Sequence, residues 1–541
     1  MKSTLLLIVL TCITSCPPAF ADEHHDYDPN ATLGAVSFPI PSCSPAQQKN
    51  FERGVALLHS FWYEEADKQF KAVAATDPHC GMAYWGQAMS LYHQLWDRPS
   101  ADDVKLGAEL SGKAMSINAH TPREREYIQA IYDFYVGGKD WNFEKSAKAY
   151  STAMEVVYQR NPQDHEAAAF YALSLLGSAP DNDSTHANQK KAIDILNALF
   201  QQDRDHPGIA HYLIHACDTP QFAPEGLPAA RVYAKIAPAS PHALHMPSHI
   251  FARLGLWQED IQSNVAAINA VKHNMTGMHM GAEHEVHSMD FLLYAYLQIG
   301  DDRKAKAIVD ELQTIRLEDV DPSRVGYLNR MRAEFPATYV LETRNWKAAE
   351  ALIPPAGAEP GQKSVTYWAQ AIGAGHLRDS KAAGEAVKQY DAMLEAVRKG
   401  DQAFRAEGME TNRDEATAWM EFAKGNNDEA LALLRKVADK QDKLGKGETE
   451  LPAREMLADM LLEMNRPQEA LAEYQDSMKV DPNRFNGLAG AAHAAELAKR
   501  PQEATLYYAQ LVKNCANSES DRPELQKAKS LAAQKTTSGT S

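Results

Sequence analysis

The sequence predicts an all-α fold, an α-solenoid (superhelix) built from antiparallel helix pairs of about 34 residues each. Apolar residues recur at three- and four-residue spacing along most of the chain, which is the pattern of amphipathic helices. Short breaks carry Asp-Pro, Asn-Pro, His-Pro or Ser-Pro. Proline disfavours helix at the preceding residue and is tolerated in the first turn that follows, so each break indicates a turn between two helices. The alternation typical of strands is not sustained anywhere in the sequence.

A repeated spacing of small and aromatic residues sets the length of the unit. Ala458, Ala470, Tyr474, Ser477 and Pro482 lie at offsets 0, 12, 16, 19 and 24. The same ruler fits three other sets, namely Ala492, Ala504, Tyr508 and Leu511; Ala418, Ala430, Leu434 and Val437; and Gly54, Ala66, Phe70, Val73 and Pro78. This pattern resembles the tetratricopeptide repeat (TPR), in which small residues allow close helix contact and a large residue fills the gap to the next unit.

The repeats and their interruptions divide the chain into six segments. These are a signal peptide at 1–21, an extended acidic lead-in at 22–43, an N-terminal TPR-like array with a histidine-rich centre at 44–353, a Pro/Gly linker at 354–363, a C-terminal TPR array at 364–515 and a tail at 516–541. In a repeat array each unit contacts mainly its neighbours, so we expect the effects of substitutions to stay local.

The first residues predict export. Lys2 precedes an apolar run, 5–13, that is too short to span a bilayer and has the form of a secretory signal peptide. Two cleavage signals compete: an A-x-A site at 19–21, and a sequence at 13–16 that resembles a bacterial lipobox and would place a lipid on Cys16. We expect a bacterial periplasmic or secreted protein, soluble or lipid-anchored, with no other membrane attachment.

Composition excludes several other classes of protein. The chain has 55 basic and 72 acidic side chains, a net charge of −17, and no basic block, which argues against a nucleic-acid partner. Hydrophobic residues make up 44% of the chain, which excludes wholesale disorder. The mature cysteines at 43, 80, 217 and 515 lie far apart. An oxidising compartment permits a disulfide between them, but the sequence does not pair them.

The unusual feature is a concentration of histidine, since ten of the 20 lie between His206 and His287. Their spacing follows the helical period. His211 and His215 lie four residues apart and hence on one helix face, and His245 and His249 repeat that spacing in the next unit. His284 and His287 open the unit after, and His242 lies one turn before His245. The resemblance to TPR arrays implies that these side chains face the concave groove.

Imidazole is a ligand for zinc, copper, nickel and iron, and i,i+4 pairs on a helix chelate metals well. The candidate metal ligands are His211, His215, His245, His249, His284 and His287. Asp218, Glu283 and Asp290 are candidate carboxylate ligands or hydrogen-bond acceptors behind them. A run with His273, Met275, Met278, His279 and Met280 would favour copper over zinc. A hydrogen-bonded floor for a bound peptide, or simple packing, explains the same histidines without metal.

Four segments carry a resemblance to a group of exported bacterial TPR proteins that has no settled activity. They are 206–215, 241–250, 121–127 and 482–485. The leading hypothesis is a non-enzymatic scaffold that binds a peptide or protein partner in its concave groove. The alternative is a metal-binding or metal-dependent protein, hydrolytic chemistry included, that uses zinc or copper at the histidine cluster. His284-Glu-Val-His287 is one residue short of a zinc-protease helix, and the sequence assigns no catalytic residue.

Overall fold

The computed structural model describes residues 31–538 apart from 96–97, 118–120, 181–182, 275–280, 321, 323 and 401–402, and it leaves out the side chains of 273–274, 281–283, 319, 404 and 535–538. In the described ranges the chain forms α-helices joined by turns and short 3-10 helices, without a strand. The predicted all-α helical solenoid is therefore confirmed.

Each helix packs on the one that follows it, and many also pack on the next but one, as expected for stacked helix pairs. The helices are α1 Gln48–His59, α2 Tyr63–Thr76, α3 Gly81–Ser90, α4 Ala101–Ser116, α5 Pro122–Tyr135, α6 Phe143–Arg160, α7 His165–Gly177, α8 Ala187–Phe200, α9 Pro207–Ala216, α10 Ala223–Ile236, α11 Pro241–His245, α12 Pro247–Arg253, α13 Trp257–Asn274, α14 Gly281–Gln298, α15 Asp302–Thr314, α16 Val325–Glu342, α17 Trp346–Glu350, α18 Pro360–His376, α19 Ser380–Lys399, α20 Ala406–Lys424, α21 Asn427–Leu444, α22 Ala453–Glu463, α23 Pro467–Val480, α24 Phe485–Leu497, α25 Pro501–Asn514 and α26 Pro523–Ser538.

The repeated spacing corresponds to a close contact between an aromatic ring and a glycine of the following helix. A Cβ atom on Gly490 would lie 2.3 Å from the ring of Tyr474, and one on Gly86 would lie 2.4 Å from the ring of Phe70. Both glycines follow their aromatic residue by 16 positions. The same contact thus recurs in the first and last units, and only glycine leaves room for the ring.

Side-chain caps start the two short helices, α9 and α11, that carry four of the central histidines. His206 accepts a hydrogen bond from the backbone N–H of Ile209 at 3.2 Å, ahead of α9. Ser240 accepts one from the N–H of Ala243 at 3.3 Å, ahead of α11. A proline follows each cap, where its missing N–H costs nothing. The Pro-marked breaks in the sequence are therefore helix starts.

The described part of the lead-in, 31–43, contains no helix but is packed into the first units. Phe38 is fully buried, and its ring lies 5.4 Å from that of Trp85. A disulfide joins Cys43 to Cys80, which precedes α3. Packing and the disulfide thus fasten this segment to the N-terminal array. Cys217 and Cys515 are unpaired and buried.

A continuous hydrophobic cluster contains residues from both sides of the connection at 354–363. Ala337 and Leu341 of α16 share that cluster with Ala369 and Ile372 of α18. Helix α18 begins at Pro360, inside the segment predicted as linker, because proline is tolerated in the first helical turn. At the other end, the predicted tail contains α26, whose Leu525 is fully buried.

The C-terminal units contact the histidine-bearing centre, although more than 200 residues separate them in sequence. Trp257 donates its indole N–H to the carbonyl oxygen of Asn483 at 2.8 Å. Gly255 approaches so closely that a Cβ atom would lie 2.3 Å from the carbonyl oxygen of Pro482. Units contact mainly their neighbours, as expected, but these contacts also join units far apart in sequence, because the array turns back on itself.

A buried guanidinium holds this junction together. Arg484, at the start of α24, has only 1% of its side chain exposed. Its Nη2 lies 2.6 Å from Oε1 of Glu342 and 3.0 Å from Oε1 of Glu455, and its Nη1 contacts the hydroxyl of Tyr294. Burial of a charge is costly unless it is paired. The two carboxylates meet that condition and join α14, α16, α22 and α24.

Hydropathy gives one further observation on the described helices. Not one of them combines the length and the apolar composition that a membrane-spanning helix requires.

Replacement of Arg484 by methionine is expected to lower the free energy of unfolding by about 3–5 kcal/mol, because Glu342 and Glu455 then remain buried without the cation that pairs with both. Urea unfolding followed by circular dichroism measures this loss. Arg466→Ala is the control, since Arg466 pairs with Glu469 at the surface and its loss is expected to cost less than about 1 kcal/mol. An R484M midpoint equal to that of the parent would contradict the role given to this junction.

Glu415 gives the fold a predictable dependence on pH. Its Oε2 accepts the indole N–H of Trp368 at 2.8 Å, and burial raises the pKa of Glu415 to about 8. The unfolded chain releases this proton near pH 4.5, so the carboxyl stabilises the fold least above pH 8. Glu415→Gln is expected to raise the unfolding free energy by roughly 2–4 kcal/mol at pH 8.5. The gain should vanish at pH 4, and an equal gain at both pH values would refute the explanation.

Candidate metal centre

Four helices bring the central histidines together. His211 and His215 lie on α9, His245 ends α11, His249 lies on α12, and His284 and His287 lie in the first two turns of α14. Met246 separates α11 from α12 but keeps helical dihedral angles, φ −51° and ψ −34°. The i,i+4 relation of His245 and His249 therefore survives the break between the two helices.

His211, His215 and His242 form one group, called triad A here. Nε2 of His211 lies 3.0 Å from Nε2 of His215 and 3.0 Å from Nε2 of His242. On its other side, His211 donates its Nδ1–H to the carbonyl oxygen of His59 at 2.6 Å. His211 is fully buried, and its ring stacks on that of Tyr233 at 5.0 Å between centroids. The hydrogen bond at its edge and the stacked ring on its face therefore fix the orientation of His211.

His245, His249 and His287 form a second group, triad B. The Nε2 atoms of His245 and His249 are 3.1 Å apart, and one nitrogen from each of the three rings lies within 4.8 Å of the others. His245 donates its Nδ1–H to Oδ1 of Asn264 at 2.7 Å. The orientation of Asn264 is set because its Nδ2 donates to the carbonyl oxygen of Asp260 at 3.1 Å.

His249 is held by two carboxylates. Its Nδ1 lies 2.9 Å from Oδ2 of Asp218 and 2.8 Å from Oε1 of Glu448. Arg253, one turn further along α12, donates its Nε–H to Oδ1 of Asp218 at 3.0 Å. Carboxylates behind a ligating histidine fix its orientation and make its free nitrogen a stronger donor to a metal.

These contacts determine which nitrogens carry protons. In His211, His245 and His249 the Nδ1–H is donated to a carbonyl, amide or carboxylate oxygen. In the neutral ring, Nε2 then presents a lone pair. Nε2 of His245 and Nε2 of His249 lie 3.1 Å apart, a distance that requires a proton or a cation between them. Against the effect of burial, Asp218 and Glu448 raise the pKa of His249, so without a metal that ring carries the proton. The cluster is therefore built to receive a positive charge.

Most of the cluster is uncharged at neutral pH. Burial lowers the pKa of His211 to about 3, that of His287 to about 3 and that of His284 to about 4. Burial also places the pKa values of His215, His242 and His245 well below the ordinary value. Burial opposes the charge on His249 too, but Asp218 and Glu448 outweigh it and raise its pKa to about 10. Neutral imidazole is the form that binds metals.

Asp218, Asp290 and His284, the other described candidates, lie outside the two triads. Asp218 lies behind His249, as described above. Asp290 instead accepts a hydrogen bond from the Thr449 hydroxyl at 3.0 Å, and burial raises its pKa to about 7. The ring of His284 lies 5.9 Å from that of His242. The Glu283 side chain, Cys16 and the Met/His run at 273–280 lie outside the described residues.

Sequence reasoning missed three participants. Glu448 comes from the turn before α22, and Asn264 and the carbonyl of His59 supply acceptors behind the rings. Arg253 holds the Glu448 turn in place by donating to the carbonyl oxygen of Lys446 at 2.8 Å. The chain near Glu448 shows no periodic signal that could have indicated this role. The position of His242 did give a periodic signal, since it lies one helical turn before His245.

A cavity of about 310 Å³ opens beside the cluster. His215 and His242 of triad A and His249 and His287 of triad B line one part of it. The remaining wall includes Phe61, Tyr63, Glu64, His93, Met246, Arg324 and Tyr327. A space of this size suits a small molecule.

A separate buried group, His59, Glu166 and His206, has a structural role. Because His206 Nδ1 accepts the cap bond from Ile209, its Nε2–H donates to Glu166 at 3.0 Å. His59 Nε2 lies 2.8 Å from the second oxygen of Glu166, and its Nδ1 lies 2.8 Å from the hydroxyl of Tyr212. Each ring nitrogen thus has a partner within the protein, so this group presents no lone pair to a metal.

Comparison with known proteins gives little beyond the architecture. No protein-family model and no curated protein matches the sequence. Similar solved structures include the human IFIT1 dimer with m7Gppp-AAAA, at 11% identity over 80% of this chain and 90% of that one, with a TM-score of 0.36. Yeast Tom70 matches at 12% identity over 90% and 96% of the two chains, with a TM-score of 0.33. Likeness of this degree carries no argument about function.

Proposed function

We propose that the protein is an exported helical-repeat scaffold whose central histidine cluster binds a divalent transition metal, zinc or copper. The observation that carries the proposal is the convergence of Nε2 atoms whose rings are locked from behind. His211, His245 and His249 each donate Nδ1–H to a fixed oxygen and aim Nε2 at another imidazole. This is the usual arrangement around a metal-bound histidine.

The distances also suit a metal. Zinc–nitrogen bonds are about 2.0–2.1 Å long, so two nitrogens on one tetrahedral ion lie roughly 3.3 Å apart. The Nε2 pairs of the two triads are separated by 3.0 and 3.1 Å, within a few tenths of an ångström of that value. Little movement would be needed to admit an ion.

Hydrogen bonding alone accounts for the cluster less well. His211 Nε2 has one lone pair but two imidazole neighbours at 3.0 Å. The expectation of a peptide partner in a groove meets a further difficulty, because a cavity of about 310 Å³ has room for a small molecule and not for a helix or strand. Metal binding is therefore the function we place first at this site, and a protein partner elsewhere on the repeats is a separate proposal.

The Cys43–Cys80 disulfide supports the exported location. Such bonds persist in oxidising compartments, including the bacterial periplasm. Signal processing at 1–21 and lipid attachment at Cys16 form part of the same proposal. Labelling with a fatty acid, lost on Cys16→Ser, distinguishes the anchored protein from the soluble one.

The metal prediction is tested with the mature chain, 22–541, after removal of bound metal by a chelator. Added Zn²⁺ or Cu²⁺ is expected to raise the melting temperature, because a ligand that binds only the folded state stabilises it, by about 2.7 kcal/mol at one hundred times Kd. The double variant His215→Ala with His249→Ala, which removes one ligand from each triad, should abolish the rise without loss of helicity measured by circular dichroism.

The matched control is His493→Ala, since His493 is exposed on α24 and lies outside the cluster. This variant should keep the full metal-induced rise in melting temperature. A parent protein whose melting temperature does not respond to either metal, and which carries none by elemental analysis, would contradict the proposal.

A further inference from the structure

The geometry points to two metal ions in this cluster, one in each triad, both facing the cavity of about 310 Å³, where a small oxyanion completes their coordination. This inference rests on the proposed function and specifies it further. It states how many ions bind, which imidazoles hold each ion, and what class of molecule the site accepts.

The imidazoles fall into two sets, each organised around one ring. In triad A, His211 lies 4.7 Å from His215 and 4.8 Å from His242 between ring centroids. In triad B, His245 lies 5.0 Å from His249 and 4.5 Å from His287. Each set offers three nitrogens within 4.8 Å of one another.

The two triads are separate groups of ligand nitrogens. Ring centroids lie 6.3 Å apart between His215 and His249 and 6.5 Å apart between His242 and His245, which is further than the other rings of each triad lie from its central ring. An ion bound at about 2.0–2.1 Å by the three nitrogens of one triad therefore leaves the other triad unused. Six converging imidazoles are also more than one tetrahedral ion can bind, and the second set accounts for the surplus.

Each ion retains one open position. Zinc sites with three protein ligands leave the fourth position to water or substrate. Because His215 and His242 of triad A line the same cavity as His249 and His287 of triad B, both open positions face that cavity. A single small molecule can reach both ions there.

Charge favours an anion in that position. Triad A contains three imidazoles and no carboxylate, so a divalent ion bound in it keeps its full charge. The carboxylates Asp218 and Glu448 lie on the far side of His249, behind triad B. Arg324 also lines the cavity, where its charge acts on the neighbouring carboxylate of Glu64. A carboxylate or phosphate oxygen bound to the two metals, with Arg324 nearby, matches this arrangement.

The number of ions is measured by equilibrium dialysis of the stripped mature chain against Co²⁺, followed by elemental analysis. Two ions per chain are expected for the parent and for His493→Ala. His211→Ala and His287→Ala should each retain one ion, because His211→Ala removes a ligand from triad A only and His287→Ala removes one from triad B only. If His211→Ala loses helicity, His242→Ala tests triad A from the cavity wall.

One ion per chain in the parent overturns the two-ion inference and leaves metal binding intact. Absence of bound Co²⁺ from the parent overturns the proposed function itself. Loss of both ions in His211→Ala with helicity retained shows a single shared site and also overturns the inference.

The ligand class is tested by the visible spectrum of the Co²⁺-loaded protein. Inorganic phosphate and acetate are titrated separately, and at least one is expected to shift the cobalt bands, which identifies the oxyanion class. Arg324→Ala should weaken that effect about tenfold. Bands unchanged by both anions at millimolar concentration would overturn the shared open position.

Discussion

The structure depends on the burial of one guanidinium that has to be paired. Arg484 can be buried in the core because two carboxylates pair with it. These belong to Glu342 of α16 and Glu455 of α22. The ion pairs join Arg484 to α16 and α22, and its hydrogen bond to the Tyr294 hydroxyl joins it to α14, which carries His287. The turn before α22 is thereby brought beside α12, where Glu448 meets His249. The C-terminal array thus supplies one of the two carboxylates behind His249 by folding back.

Within the site, the surroundings give neighbouring histidines different charges. Burial keeps most of the rings neutral, since a charge in an apolar interior is costly. His249 alone faces two carboxylates, so its pKa moves in the opposite direction. The fixed acceptors behind His211 and His245 then decide which nitrogen of each ring is exposed to the cluster. Chemistry at this site is set as much by those acceptors as by the imidazoles.

Much of this was predictable because helical geometry is local. The offsets of Ala458, Ala470 and Tyr474 indicated stacked helix pairs, and the spacing of His211 and His215 placed both rings on one face. Asp218, a candidate ligand or acceptor in the sequence, lies against His249. Asp290 does not lie against these histidines, and its partner is Thr449, from a turn far away in the sequence. The pairing of Cys43 with Cys80 could not be predicted from the sequence either.

The sequence by itself therefore determined the all-α class, the unit length, the helix starts and the histidine pairs. These follow from spacings of a few residues and from the backbone preferences of proline and glycine. Only the tertiary structure decided that the array turns back, that Glu448 and Asn264 complete the site, and that six imidazoles divide into two triads. Those contacts join segments tens to hundreds of residues apart, and their energies depend on burial and charge pairing, which no local pattern encodes.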